Sequence, residues 1–408
     1  MLHRDVEAYL ATLLNHFPCV VVTGVRQCGK TTLLSEALSG WQRFDMESVA
    51  DRQQVLTDVD HFLRLYSERV FIDEAQLAPE LFPALRVAID RDRGRKGRFV
   101  LSGSSSPDLA RHVSETLAGR VGLLEMGPLT LSEAWALPAA PFYQLVGQGA
   151  SPGDILAQAT PRLSARQVRE YWFQGGYPEP WLNKDPEFRG LWFRNYLDTY
   201  LLRDIGALFP NLNRDRYRQF TQLLGNVSGS ILNNADLARD LGVSEPTVRD
   251  WLQIAHGTYL WRHIPAWSRS AAKQLVKHPK GYLRDSGLLH RLLHVVDAEQ
   301  LGLHPMQGRS WEGMVIETLL RGFENAGIQV EPFHYRTRGG AEVDLVLAGD
   351  FGLLPVEIKL ASQTDKRALR SLNEFIDVHA CPFGVVVNND EKPRLLDERI
   401  LALPVGGL

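Results

Sequence analysis

Between residues 24 and 31 the chain reads GVRQCGKT, which places glycines at Gly24 and Gly29, a lysine at Lys30 and a hydroxyl at Thr31. Glycines at these positions let the backbone curl so that successive N–H groups and the start of a helix face an anion, and the lysine adds a point charge. The spacing suits a loop that cradles the β- and γ-phosphates of a nucleoside triphosphate while Thr31 offers its hydroxyl to Mg²⁺. Arg26, Gln27, Cys28 and Thr32 belong to the same candidate cradle. Farther on, the apolar run Val70–Phe71–Ile72 ends in Asp73 and Glu74. There Asp73 is placed to hold the Mg²⁺ shell and Glu74 to orient or deprotonate an attacking water, as triphosphate hydrolysis requires.

A second set of chemical residues lies near the other end. Asp344 heads the run DLVL, glycines at Gly349 and Gly352 mark a turn, and PVEIKL returns with Glu357 and Lys359 flanking Ile358. Strand side chains alternate, so Glu357 and Lys359 face one way while Ile358 faces the core. A hairpin across the turn would set Asp344 beside Glu357, giving two hard oxygen ligands for Mg²⁺ or Mn²⁺ with a lysine to position or activate water. Glu312, on a preceding amphipathic helix, could complete that shell, and Arg336 and Arg338 lie just ahead of Asp344.

These residues need elements to position them. CVVVTG, residues 19–24, reads as a buried parallel strand meeting a turn, and KTTLLSEAL as the helix that follows. The carboxylates Asp73 and Glu74 are expected on a neighbouring strand. A third strand, RFVLSGSSS from residue 98, ends in Ser102, Ser104 and Ser105 at the sheet edge where ligands of open α/β folds collect, and any of these, Ser104 among them, could sense a γ-phosphate. Arg120, in LAGRV, could complement transition-state charge within the chain or across a subunit boundary, which makes a homo-oligomeric ring possible.

In the middle, ADLARDLGVSEPTVRDWLQIA (residues 235–255) has the turn glycine, the Ser244 cap and the Pro246 of a helix-turn-helix. The leading residues of its second helix, Ser244, Glu245, Thr247, Arg249 and Asp250, are poorly suited to an anionic groove. After it, Arg262, Arg269, Lys273, Lys277, Lys280 and Arg284 form a basic stretch interleaved with Trp261, Trp267 and Tyr282, the pattern of a phosphate-tracking surface for DNA.

A length of 408 residues exceeds what one hydrophobic core sustains, so two or three domains are expected. Apolar residues at 44% and charged residues at 23% exclude long disorder, and a net charge of −3 gives no global field for nucleic acid. Three scattered cysteines, Cys19, Cys28 and Cys381, fit a reducing cytoplasm rather than a disulfide framework or a zinc site. No leader pattern opens the chain and no run is apolar enough to span a bilayer, so no membrane association is expected.

GVRQCGKTTLL, FIDEAQ, LSGSSS and LAGRV, in this order, resemble the AAA-type ATPase domain at the front of a large prokaryotic family of ATP-binding proteins that carry a DUF4143 region behind it. The resemblance implies ATP as the nucleotide and an α/β core up to MGPLTLSEAWAL. WFQGGYPEPWL and YLDTYLLRDI, the latter with Arg203 and Asp204, resemble the opening of the second family region, and KHPKGYLRDSGLL its winged-helix end. The distal carboxylates look like a PD-(D/E)XK nuclease fold, including the helix glutamate of resolvase-like members. The expected α/β architecture is therefore an AAA-type P-loop ATPase with a parallel sheet at residues 1–135, a helical and winged-helix part at 136–300 and a nuclease-like α/β domain at 301–408. The expected function is ATP- and Mg²⁺-dependent action on DNA, in which hydrolysis is coupled to binding, remodelling or cleavage. The alternative is a nucleotide switch that recruits protein partners, with the nuclease-like fold an inactive scaffold.

Overall fold

The computed structural model describes residues 3–103, 107–200, 205–206, 209, 212–268, 278–337, 339–361 and 366–408, with backbone only at 107, 108, 110, 111 and 366–368. These residues gather into two compact units, one built on Arg4–Pro128 with Gly257–Tyr259 and the other on Leu129–His256 with Leu260–Leu408.

The first unit is a sheet of five strands, β1 (Cys19–Gly24), β2 (Gln42–Asp45), β3 (Val70–Asp73), β4 (Phe99–Ser102) and β5 (Val121–Met126), in the order β2-β3-β4-β1-β5. Every pairing is parallel. Val20, Val21, Val22, Val70, Ile72 and Val100 are fully buried, as a parallel sheet covered on its faces demands. The strands bearing Gly24 and Asp73 are not adjacent, because β4 runs between them. The expectation of a neighbouring strand is corrected to a strand one place over, and the residue at the end of β4 falls between the two motifs.

Only glycine fits at position 24. Its φ is +145°, and a Cβ there would lie 2.0 Å from the carbonyl oxygen of Met126 on β5. The close approach of β5 thus shapes the start of the phosphate loop.

In the second unit the helices Asn234–Leu241 and Glu245–Gly257 are joined through Gly242, left-handed at φ +62°. Ser244 Oγ caps the second helix by accepting from Thr247 N at 3.3 Å. A small antiparallel sheet follows, with β6 (Ser230–Ile231), β7 (Trp261–Ile264) and β8 (Lys280–Leu283) in the order β6-β8-β7. A helix-turn-helix with an antiparallel wing is the result.

The C-terminal sheet holds β9 (Glu331–Arg336), β10 (Glu342–Gly349), β11 (Gly352–Ile358), β12 (Gly384–Asn388), β13 (Arg394–Asp397) and β14 (Ile400–Pro404), in the order β13-β14-β12-β11-β10-β9. Antiparallel β10 and β11 turn over Asp350 and Phe351, because Gly349 pairs with Gly352. Parallel β11 and β12 need a crossover, supplied by the helix Lys366–His379. One face packs Val343, Val346, Phe375 and Ile376. The other packs Leu345 and Val356 against Trp311, Val315 and Leu319 of the long helix Gln307–Asn325, in a cluster that also takes in Tyr143, Tyr171 and Trp181.

Glu317, on that helix, is buried and meets three guanidiniums. Arg262 binds it through Nε and Nη2, Arg284 Nε lies 3.3 Å from its Oε2, and Arg321 Nε lies 3.9 Å from the same oxygen. Burial pushes its carboxyl upward, but the guanidiniums of Arg262, Arg284 and Arg321 more than offset this and hold it at about 2. A folded-state value below the ordinary carboxylate range contributes stability that is present above that range and lost as pH falls toward about 2. Glu317→Gln is expected to cost about 3–5 kcal/mol, since it leaves buried arginines uncompensated. Urea unfolding of both proteins at pH 7 and pH 3 checks this, with wild type losing more stability on acidification than the variant.

Candidate functional site

The phosphate loop lies between β1 and the helix Lys30–Ala37, at the carboxyl edge of the sheet. Gly29 caps the helix in a left-handed conformation at φ +94°, and Gln27 is also left-handed at φ +59°. Lys30 is buried, and its ammonium donates to the carbonyls of Gly24 and Val25 at 2.9 Å each, which holds the charge at the centre of the loop. Cys28 is buried against β5, its thiol 3.4 Å from Met126 O, while Arg26 is half-buried and Thr32 exposed. Arg4 braces the loop from outside the motif, donating to Cys28 O and Gly127 O at 2.8 Å each. Nothing in the local sequence signals that role, since Arg4 precedes the loop by a whole helix.

Asp73 collects donors from three elements. Thr31 Oγ1 donates to its Oδ2 at 3.0 Å, Arg43 Nη2 reaches the same oxygen at 3.2 Å, and Ser102 Oγ donates to Oδ1. The hydroxyl of Thr31 and the carboxylate of Asp73 therefore converge as oxygen donors, which fits Mg²⁺ held between a phosphate loop and an acidic strand end. Ser102 comes into play because β4 separates β1 from β3. Arg43 was not among the expected site residues, for its meeting with Asp73 depends on the β2–β3 register, in which Arg43 pairs with Phe71. Glu74 follows in a left-handed conformation at φ +50°, strained for a residue with a side chain, and Gln76 donates to its Oε2. Ser104 and Ser105 lie outside the described residues.

The structure does not bring Arg120 to this edge. It precedes Val121, which pairs with Cys19 at the amino-terminal end of β1, so it sits about five residues, or ~17 Å, from Gly24 along the strand. Its guanidinium is bound to Asp90 by two contacts of 2.8 Å. The expected contribution to transition-state charge within the chain is therefore corrected: strand polarity puts Arg120 at the wrong end of a parallel sheet.

At the distal set, continuing the β10–β11 register beyond the Leu345–Val356 pair sets Asp344 against Glu357, as the hairpin reasoning requires. Asp344 Oδ2 accepts from Ile358 N at 2.8 Å, and Lys359 Nζ donates to Glu357 Oε1 at 2.6 Å. Pairing of β10 with β9 slips between Val343 and Val346, an irregularity of the kind that re-aims side chains. Burial, then the charges of Glu312 and Glu357, push the Asp344 carboxyl well above the usual range against the pull of Lys280 and Lys359. Burial also raises Glu357, with Lys359 pulling back and Glu312 and Glu342 adding to the rise. The three expected ligands thus share one field. They do not form a ligand set as they stand: among the described residues no group of three or more His, Cys, Asp or Glu is arranged to hold a metal ion. Glu312 is instead engaged by Lys280 at 3.1 Å and by the Tyr282 hydroxyl at 2.6 Å.

Comparison with known proteins agrees with the two ends of the chain. Residues 16–135 match the AAA domain family, 165–299 a domain of unknown function, DUF8612, and 307–408 the domain of unknown function DUF4143. The uncharacterized protein Rv2008c of Mycobacterium tuberculosis is 33% identical over 405 residues, spanning 98% of this chain and 83% of its own length. An uncharacterized protein of Mycobacterium bovis matches to the same extent. The chain belongs to the family of AAA-domain proteins that carry a DUF4143 region. Among solved structures, the Walker-type ATPase PABY2304 of Pyrococcus abyssi is 14% identical, covering 72% of this chain and 96% of its own with a TM-score of 0.42. RuvB of Thermotoga maritima is 19% identical, covering 67% and 95% with a TM-score of 0.30. The AAA domain here has the P-loop ATPase fold, and the strand order with its loop at the carboxyl edge supports ATPase activity.

Three described residues of the basic stretch, Arg262, Lys280 and Arg284, are used inside the DUF8612 and DUF4143 parts. Arg262 and Arg284 bind Glu317, Lys280 binds Glu312 and Glu342, and all three side chains are nearly buried. Trp261 and Tyr282 are fully buried as well. The expected phosphate-tracking face therefore loses these three basic residues, because carboxylates of the same unit engage them. Arg269, Lys273, Lys277, Arg203, Asp204 and Arg338 lie outside the described residues, and Arg336 ends β9 exposed. No described helix is long and apolar enough to cross a membrane. From the placement of Arg120, Arg120→Ala is expected to leave steady-state ATP turnover within about twofold of wild type, whereas Asp73→Asn lowers it by at least about a hundredfold. A phosphate-release assay checks both.

Proposed function

We propose that the chain is a Mg²⁺-dependent ATP hydrolase that acts as a nucleotide switch for protein partners, with its C-terminal nuclease-type sheet held in a closed state. The observation that carries the hydrolase reading is the convergence of Lys30, Thr31 and Asp73 at one sheet edge, with Thr31 Oγ1 and Asp73 Oδ2 at 3.0 Å. Backbone N–H groups of the loop and the ammonium of Lys30 bind the β- and γ-phosphates. Thr31 and Asp73 hold Mg²⁺, which when bound neutralises charge on the phosphates. Ser102 and Arg43 fix the Asp73 carboxylate, and Glu74, held by Gln76, orients the attacking water and accepts its proton. The switch reading is favoured by Arg262, Lys280 and Arg284 of the wing, which are spent on Glu312, Glu317 and Glu342.

A second reading makes the chain a DNA-acting enzyme in which ATP hydrolysis is coupled to binding, remodelling or cleavage. It is favoured by the Asp344–Glu357 register with Lys359 beside it, the carboxylate and lysine arrangement of a nuclease. Lys30→Ala is expected to abolish ATP binding in calorimetry, and Glu74→Gln to retain binding while losing at least about a hundredfold in turnover. Plasmid and branched DNA incubated with the full chain, ATP and Mg²⁺ or Mn²⁺ are expected to remain intact. Nicking that disappears in Asp344→Ala would replace the switch reading with the enzyme reading.

A further inference from the structure

Lys280 opens β8 of the wing, and its ammonium lies 3.1 Å from Glu312 Oε1 and 3.3 Å from Glu342 Oε1, with the side chain only 8% exposed. Tyr282, two residues on and so on the same face of the strand, donates to the same Glu312 oxygen at 2.6 Å. Two residues of one short strand therefore hold the carboxylate that would stand third beside Asp344 and Glu357. On the other side of the cluster, Glu357 Oε1 takes Lys359 while Glu357 Oε2, in a residue 5% exposed, has no hydrogen-bond partner among the described residues. A buried carboxylate oxygen left without a donor is costly, and the usual remedies are a proton or a cation. The charge balance among the described residues points the same way: four carboxylates, Glu312, Glu342, Asp344 and Glu357, face two ammonium groups, Lys280 and Lys359.

We propose that Lys280 and Tyr282 form an internal latch that occupies Glu312 Oε1, and that freeing this carboxylate completes, with the Asp344–Glu357 pair, a site for one divalent cation of the Mg²⁺ or Mn²⁺ class. The inference rests on reading the C-terminal sheet as a nuclease-type fold held closed, and it assigns the closure to the wing. The ligands of the opened site are Glu312, Asp344 and the Oε2 atom of Glu357, all hard oxygens suited to such a cation. Lys280 acts as the resident positive charge in the closed state, and Lys359 stays with Glu357 in both.

The test is Mn²⁺ uptake by the full, nucleotide-free chain at neutral pH, read by electron paramagnetic resonance. Wild type and Lys280→Arg, which keeps the cation, are expected to bind no Mn²⁺ that depends on Asp344. Lys280→Met is expected to take up one Mn²⁺ at least about tenfold more tightly than wild type, and to lose it when Asp344→Asn is added. Circular dichroism and thermal melting establish that each variant is folded. Should Lys280→Met not fold, Tyr282→Phe removes one of the two hydrogen bonds on Glu312 with a smaller change and is expected to raise uptake in the same direction. The latch is overturned by wild type binding Mn²⁺ through Asp344 as tightly as the variants do, or by folded variants that take up none. ATP turnover measured on the same preparations separates this outcome from the hydrolase reading, which fails only if wild type does not hydrolyse ATP.

Discussion

A carboxylate removed from water has to be met by a cation or by several directed donors, and three of the places where that happens among the described residues organise the chemistry of this chain. Asp73 is met by Thr31, Ser102 and Arg43. Glu317 is met by Arg262, Arg284 and Arg321. Glu312, Asp344 and Glu357 are met by Lys280, Lys359, Tyr282 and one backbone N–H. The first arrangement leaves an oxygen donor pair that an incoming Mg²⁺ could share. The second gathers three guanidiniums on one buried carboxylate and serves stability. The third lies between them, with one buried oxygen still unmet.

The same requirement explains why Arg262, Lys280 and Arg284, in the basic segment after the helix-turn-helix, are engaged inside the protein. The segment is rich in lysine and arginine, but these three side chains turn inward to Glu312 and Glu317 of the helix Gln307–Asn325. A wing held by buried ion pairs is attached to the sheet beside it, since removing one partner strands the other. Strand β8 is thereby an integral part of the carboxylate cluster, contributing both the ammonium and the phenol that engage Glu312.

In the AAA domain, the order β2-β3-β4-β1-β5 decides which groups meet. Inserting β4 between β1 and β3 brings Ser102 to Asp73, and parallel strands collect their carboxyl ends at one edge. The same polarity sends Arg120 to the far edge, into a pair with Asp90. Close approach by β5 restricts position 24 to glycine, which makes the phosphate loop a consequence of packing as well as of its own residues.

Much of this was legible in the sequence where the interacting atoms lie close along the chain. The phosphate loop is eight consecutive residues with glycine, lysine and threonine at the positions that matter, and the helix-turn-helix announces itself through Gly242 and Ser244. The pairing of Asp344 with Glu357 follows from counting across one hairpin. Arg43 at Asp73, Arg4 beneath the loop, and Lys280 on Glu312 were decided by tertiary structure alone. Each depends on strand order, register or packing between segments tens to more than a hundred residues apart, and composition records which charges a chain owns without recording which of them burial forces together.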